Sequence, residues 1–78
     1  MKKTATSATA IQRLQKKIGR RLKARRLELR LSQERIAKAC KLSPSYLSQL
    51  EAGLRNPTID VLYRVGKVLG VTLEELVR

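Results

Sequence analysis

Two helix-start signals, at Ser32 and Ser43, constrain this chain more than any other feature of it. Ser32 precedes the apolar positions Ile36, Ala37 and Cys40, and Ser43 precedes Pro44, Tyr46, Leu47 and Leu50. A serine hydroxyl accepts a bond from an otherwise unpaired N–H of a first helical turn. Proline fits the first helical position, where its missing N–H costs nothing. Gly53 supplies a C-terminal stop. Two helices of roughly seven to nine residues are therefore predicted, joined by a three-residue turn at Lys41-Leu42-Ser43. So short a turn forces the helices to cross. Ala37 is small where they approach, and Leu42, Leu47 and Leu50 are apolar where the second packs back on the first. The outward positions of the second helix are Ser45, Tyr46, Ser48 and Gln49.

The flanks are helical too. Ile11, Leu14, Ile18, Leu22 and Leu29 recur at spacings of 3, 4, 4 and 7, which is one face of a helix. Arg13, Lys16, Lys17, Arg20, Arg21, Lys23, Arg25 and Arg26 lie between them and predict a basic outer face. Residues 1–10 lack periodicity and are expected as a disordered basic and polar tail, with one domain over 11–78. Thr58 can cap a fourth helix carrying Leu62, Val65 and Leu69 and closed by Gly70. Thr72 and Glu75 form a capping box for a last helix with Leu73, Leu76 and Val77. No segment alternates as a strand does. The expected fold is all-α, a compact bundle of five helices.

The chain of 78 residues carries a net charge of +12. All of that excess lies in residues 1–41, and residues 42–78 are balanced. Such a field attracts a polyanion, or it is a solvated basic face that aids solubility. There is no Phe or Trp, so the core must be aliphatic. One Cys excludes an internal disulfide and suits a reducing cytosol. No apolar run is long enough to cross a bilayer, and the N-terminus lacks the apolar stretch of a secretory signal. The chain has no His and no glycine-rich phosphate loop, and the neighbouring Glu74 and Glu75 do not converge on a substrate. Catalysis therefore has little to stand on, and Cys40 reads as core. Neither cofactor nor metal is expected.

Several of these runs together resemble the phage Cro/repressor-type helix-turn-helix family. They are Ile18-Gly19-Arg20-Arg21-Leu22-Lys23-Ala24-Arg25-Arg26, Leu31-Ser32-Gln33-Glu34, the stretch Ser43 to Gly53, Arg55-Asn56-Pro57-Thr58, and Leu69 to Leu76. The resemblance covers roughly residues 16–77, with the motif itself at 33–52. It implies a repressor-like fold that binds double-stranded DNA in the cytoplasm. The likeness places Pro44, Ser45 and Gln49 toward base edges. An amide such as that of Gln49 can pair in a bidentate way with adenine; the alternative is a solvated surface side chain. Gln33 corresponds to a residue that grips a phosphate and braces the recognition helix. Ser43, Tyr46, Ser48, Arg55 and Asn56 match backbone-contacting positions, although Ser43 can equally be only a cap and Tyr46 can equally pack at the domain edge. Arg26 and Glu51 match a structural salt bridge, the alternative being an Arg26 that faces phosphate. The family usually has Gly where this chain has Arg30 and Lys41, both at positions that tend to need positive φ.

One recognition helix reads only about 4–5 base pairs, which favours two copies on a palindromic operator. Leu73, Leu76 and Val77 are the expected homodimer contact, unless all three are buried within one chain. The function expected is that of a sequence-specific regulator, a repressor or controller. A second reading of the same fold is an adaptor with a protein partner, as in an antitoxin.

Overall fold

The computed structural model describes the backbone of residues 3–78 and the side chains of residues 8–78. Those residues form five helices: α1 (Lys3–Glu28), α2 (Gln33–Cys40), α3 (Pro44–Glu51), α4 (Ile59–Leu69) and α5 (Leu73–Val77). The expected N-caps are all present. Ser32, Ser43, Thr58 and Thr72 sit in extended backbone and accept bonds from the N–H groups of Arg35, Tyr46, Val61 and Glu75. Glu75 closes the capping box by accepting from the Thr72 N–H at 2.9 Å.

Four segment ends share one device. Arg30, Lys41, Gly53 and Gly70 have φ of 58°, 59°, 79° and 75°. In each case the next N–H reaches back five residues. Leu31 donates to the Arg26 carbonyl, Leu42 to Ala37, Leu54 to Gln49 and Val71 to Gly66, at 2.8–3.1 Å. This left-handed closure satisfies helix-end carbonyls that would otherwise be unpaired. Arg30 and Lys41 thus adopt the positive φ expected of them.

The core is aliphatic, as composition required. Ile18, Leu22, Ile36, Ala37, Cys40, Leu47, Leu50, Leu62, Val65, Leu69 and Leu76 are buried. The α1 helix packs on α3, α4 and α5, and α2 packs on α3 and α4. Two glycines set the closest approaches. A Cβ at Gly19 would lie 2.5 Å from the Glu51 carbonyl oxygen, and one at Gly66 would lie 2.6 Å from that of Val71.

Three expectations change. First, α1 begins at Lys3 rather than near Ile11, so residues 3–10 are helical where a disordered tail was expected. That stretch holds no Gly or Pro, and Ala5, Ala8 and Ala10 favour helix intrinsically. Met1 and Lys2 lie outside the described residues. Second, Ile11, Leu14 and Leu29 are exposed, and of the apolar series only Ile18 and Leu22 reach the core. Third, the basic face of α1 is not wholly outward. Lys17 Nζ donates to the Arg78 carbonyl at 3.1 Å, Arg21 to the Glu75 carbonyl at 2.8 Å, and Arg25 Nε to the Leu69 carbonyl at 2.8 Å. These three cations hold the C-terminal ends of α4 and α5, where a positive charge also suits the helix dipole.

Candidate nucleic-acid interface

The recognition helix α3 is held at its C-terminal end by one buried polar cluster. Arg26 Nε donates to Glu51 Oε2 at 2.6 Å and Arg26 Nη2 to Glu51 Oε1 at 3.0 Å. Gln33 Nε2 adds a third bond to Glu51 Oε1 at 2.8 Å, and Arg26 Nη1 donates to the Leu31 carbonyl at 2.8 Å. The Arg26 and Glu51 side chains are only 9% and 3% exposed. The Glu51 hydrogen bond holds the Arg26 guanidinium charged, outweighing its burial. Residues from α1, α2 and α3 thus meet on one carboxylate. Arg26 is engaged in this buried salt bridge, the structural arrangement expected of it. Gln33 braces α3 with one amide N–H on Glu51, and its second amide N–H remains available.

The expected base-contacting residues do lie together. Pro44 occupies the first turn of α3. Ser45 and Ser48 are exposed, and Gln49 is half-buried one turn after Ser45. The Ser43 hydroxyl accepts from the Tyr46 N–H at 3.0 Å and is therefore a cap. Tyr46 is half-buried against the core, and the Arg55 guanidinium lies 5.4 Å over its ring. Arg55 also donates from Nε to Gln49 Oε1 at 2.7 Å. Arg55 therefore joins the loop after α3 to the middle of that helix. Asn56 is exposed in the same loop.

Sequence reasoning missed this Arg55–Gln49 bond, because the path of the five intervening residues, from the end of α3 into the loop, sets it. It also missed the junction of α1 with α3, where a Cβ at Gly53 would lie 2.9 Å from Lys16 Cα. Gly19 was a usable signal for that junction, since glycine inside a helix costs about 0.5–1 kcal/mol relative to alanine and needs a reason.

The dimer expectation needs one correction. Leu76 is 1% exposed and belongs to the core of the single chain, where Arg21 clamps its carbonyl. It has no surface to offer a partner. Leu73 is half-buried and Val77 is exposed. Leu73 lines an open, mostly apolar depression of about 370 Å³ together with Tyr63, Val71, Thr72 and the charged Lys67 and Glu74.

Cys40 is a buried, unpaired thiol, and burial pushes its pKa up. That is the behaviour of a core residue rather than a nucleophile. Among the described residues no group of acids and cysteines could hold a metal, and no helix is long and apolar enough to cross a membrane.

Five helices, with a short-turned pair locked to α1 by a buried salt bridge, define a helix-turn-helix domain. A helix-turn-helix family model matches residues 22–76. An uncharacterized HTH-type transcriptional regulator of Sinorhizobium fredii, y4dJ, is 41% identical over 64 residues, covering 82% of this chain and 83% of its own. The immunity repressor protein of Bacillus phage phi105 is 37% identical over 60 residues, covering 77% of this chain and 42% of the repressor. The control protein C.BamHI of Bacillus amyloliquefaciens is 39% identical over 46 residues, covering 59% of this chain and 57% of its own. Among solved structures, the clp gene regulator ClgR of Corynebacterium glutamicum superposes with a TM-score of 0.79 at 28% identity, covering 82% of each chain. The chain belongs to the Cro/repressor-type helix-turn-helix family of transcriptional regulators.

Proposed function

We propose that this protein is a sequence-specific regulator that binds a palindromic operator in double-stranded DNA as a cytoplasmic homodimer and acts as a repressor or controller. The observation that carries the reading is the rigid mounting of α3. Its C-terminal end is locked by the Arg26–Glu51–Gln33 cluster, while Ser45, Ser48 and Gln49 point small polar groups away from the core. A recognition surface needs that combination of fixed position and free hydrogen-bonding groups.

Pro44, Ser45 and Gln49 face base edges, and Ser43, Tyr46, Ser48, Arg55 and Asn56 line the phosphate side. The Arg55 bond sharpens the role of Gln49. With its amide oxygen accepting from Arg55, Gln49 offers two N–H donors outward. The oxygen keeps a second lone pair, but it lies beside a guanidinium whose own N–H groups would confront the adenine N6 donor. The pair therefore suits an acceptor edge, guanine O6/N7 or thymine O4, better than adenine. The second copy docks through the depression that Tyr63, Val71 and Leu73 line, together with Val77, which is exposed on the same short helix as Leu73.

Selection from random duplexes tests the reading. A regulator prefers its site over random DNA by about 10³-fold or more. Absence of an enriched motif would sink the regulator reading, and an enriched motif without two-fold symmetry would sink the dimer.

A further inference from the structure

Apart from Arg26, which is buried against Glu51, the lysines and arginines of α1 from Arg13 onward fall into two rows with different fates. Lys17, Arg21 and Arg25 are committed to carbonyls at the ends of α5 and α4. Arg13, Lys16, Arg20 and Lys23 form the other row. At 100° per residue these four lie within about 80° of the helix circumference and along about 15 Å of its axis. All four are exposed. None of them enters a hydrogen bond or ion pair among the described residues.

No acid among the described residues pairs with that row. Glu28 pairs with Arg25, Glu51 with Arg26 and Asp60 with Arg64. Four like charges on one strip repel one another, and a row of this kind is relieved by a polyanion. Its position selects the polyanion. Lys16 packs against Gly53, at the start of the loop that carries Arg55 and Asn56, and neighbouring Gly19 abuts the carbonyls of Leu50 and Glu51 at the end of α3. The row therefore continues directly from the edge of the recognition surface.

We infer that Arg13, Lys16, Arg20 and Lys23 form a second DNA contact, a strip that follows the phosphate backbone beyond the half-site read by α3. A strip of about 15 Å spans on the order of four phosphates of one strand. It adds affinity and footprint length but no sequence information, because phosphates are the same at every position. The inference rests on the DNA-binding reading above.

The test compares two double variants with wild type on duplexes with long and with trimmed flanks. R13Q/R20Q removes two charges from the free row and spares Lys16, whose stem packs on Gly53. K17Q/R21Q removes two from the committed row. In plots of log affinity against log salt, R13Q/R20Q should lower the slope by about 1.8 per bound protomer, hence about 3.6 for a homodimer, at about 0.9 per phosphate contact. K17Q/R21Q should lower the melting temperature and leave the slope within about 0.5 of wild type. Wild type should lose affinity when the flanks are trimmed, a result that needs no variant. Equal slopes for R13Q/R20Q and wild type would overturn the strip, as would indifference of wild type to flank length. Tighter binding to duplex RNA than to DNA would also overturn it. If selection finds no preferred site, the regulator reading fails, and the slopes on random duplex still decide the strip by themselves.

Discussion

Glu51 is the residue on which the recognition helix depends. Its carboxylate accepts three hydrogen bonds, two from Arg26 and one from Gln33. Glu51→Ala leaves a buried guanidinium without its partner, and breaking such a pair costs about 3–5 kcal/mol. A domain this small has little more than that to lose, so denaturant titration should find the variant only marginally folded at 25 °C, with a sharply lowered midpoint. A denaturation midpoint unchanged from wild type would show that the pair is dispensable. Arg55 belongs to the same scale. From family likeness it is a backbone contact, which implies that its loss weakens all duplexes alike. Its bond to Gln49 gives a different expectation. Arg55→Gln frees the Gln49 oxygen, and the preferred base at one position of each half-site should move from guanine or thymine toward adenine. An unchanged motif from repeated selection, with uniformly weaker binding, would restore the simpler phosphate role.

At the scale of elements, the ends are as informative as the helices. Four closures use the same left-handed residue, two with glycine and two with basic side chains. A non-glycine residue in that conformation costs about 1–2 kcal/mol. Lys41 nevertheless sits between α2 and α3, and its N–H donates to the carbonyls of Ala37 and Lys38. The strain is local, because the motif geometry around it is intact. Lys41→Gly should raise stability by about 1 kcal/mol, which in a domain this size lifts the melting temperature by about 4–8 °C. Calorimetry showing a lower melting temperature would mean that the Lys41 side chain contributes more than its backbone costs.

At the scale of the molecule, the charge and the fold divide the work. Part of the +12 excess holds α4 and α5 in place from α1, and part stays exposed and unpaired on α1. The oligomer depends on a different surface. Leu73→Glu puts a charge into the depression that also contains Tyr63 and Val71. Sedimentation should then show a monomer with its helical content retained, and operator affinity should fall by at least tenfold. A variant that remained dimeric would move the contact elsewhere, with Val77 as the next place to look.

Much of this was legible along the chain because it rests on local chemistry. Helix starts depend on a hydroxyl and an N–H three residues apart, so Ser32, Ser43, Thr58 and Thr72 could be read directly. Helix ends depend on a single backbone conformation, so Gly53 and Gly70 stood out, while Arg30 and Lys41 stood out only against the glycines that the family resemblance implies. Periodicity marked Leu47, Leu50, Leu62 and Leu69 as core. What the chain did not show depends on residues distant along it. Nothing local distinguishes Lys17 from Arg20, yet one side chain is spent on a carbonyl 61 residues away and the other is free. Nothing local buries Leu76 while leaving Val77 exposed, since that depends on how α5 lies against α1. Local sequence determined where most of the helices begin and end; only the packing of α1 against α3 and α5 decided which charges remain exposed and unpaired. A hydrogen bond consumes a donor wherever its acceptor lies, and that location is a property of the folded chain.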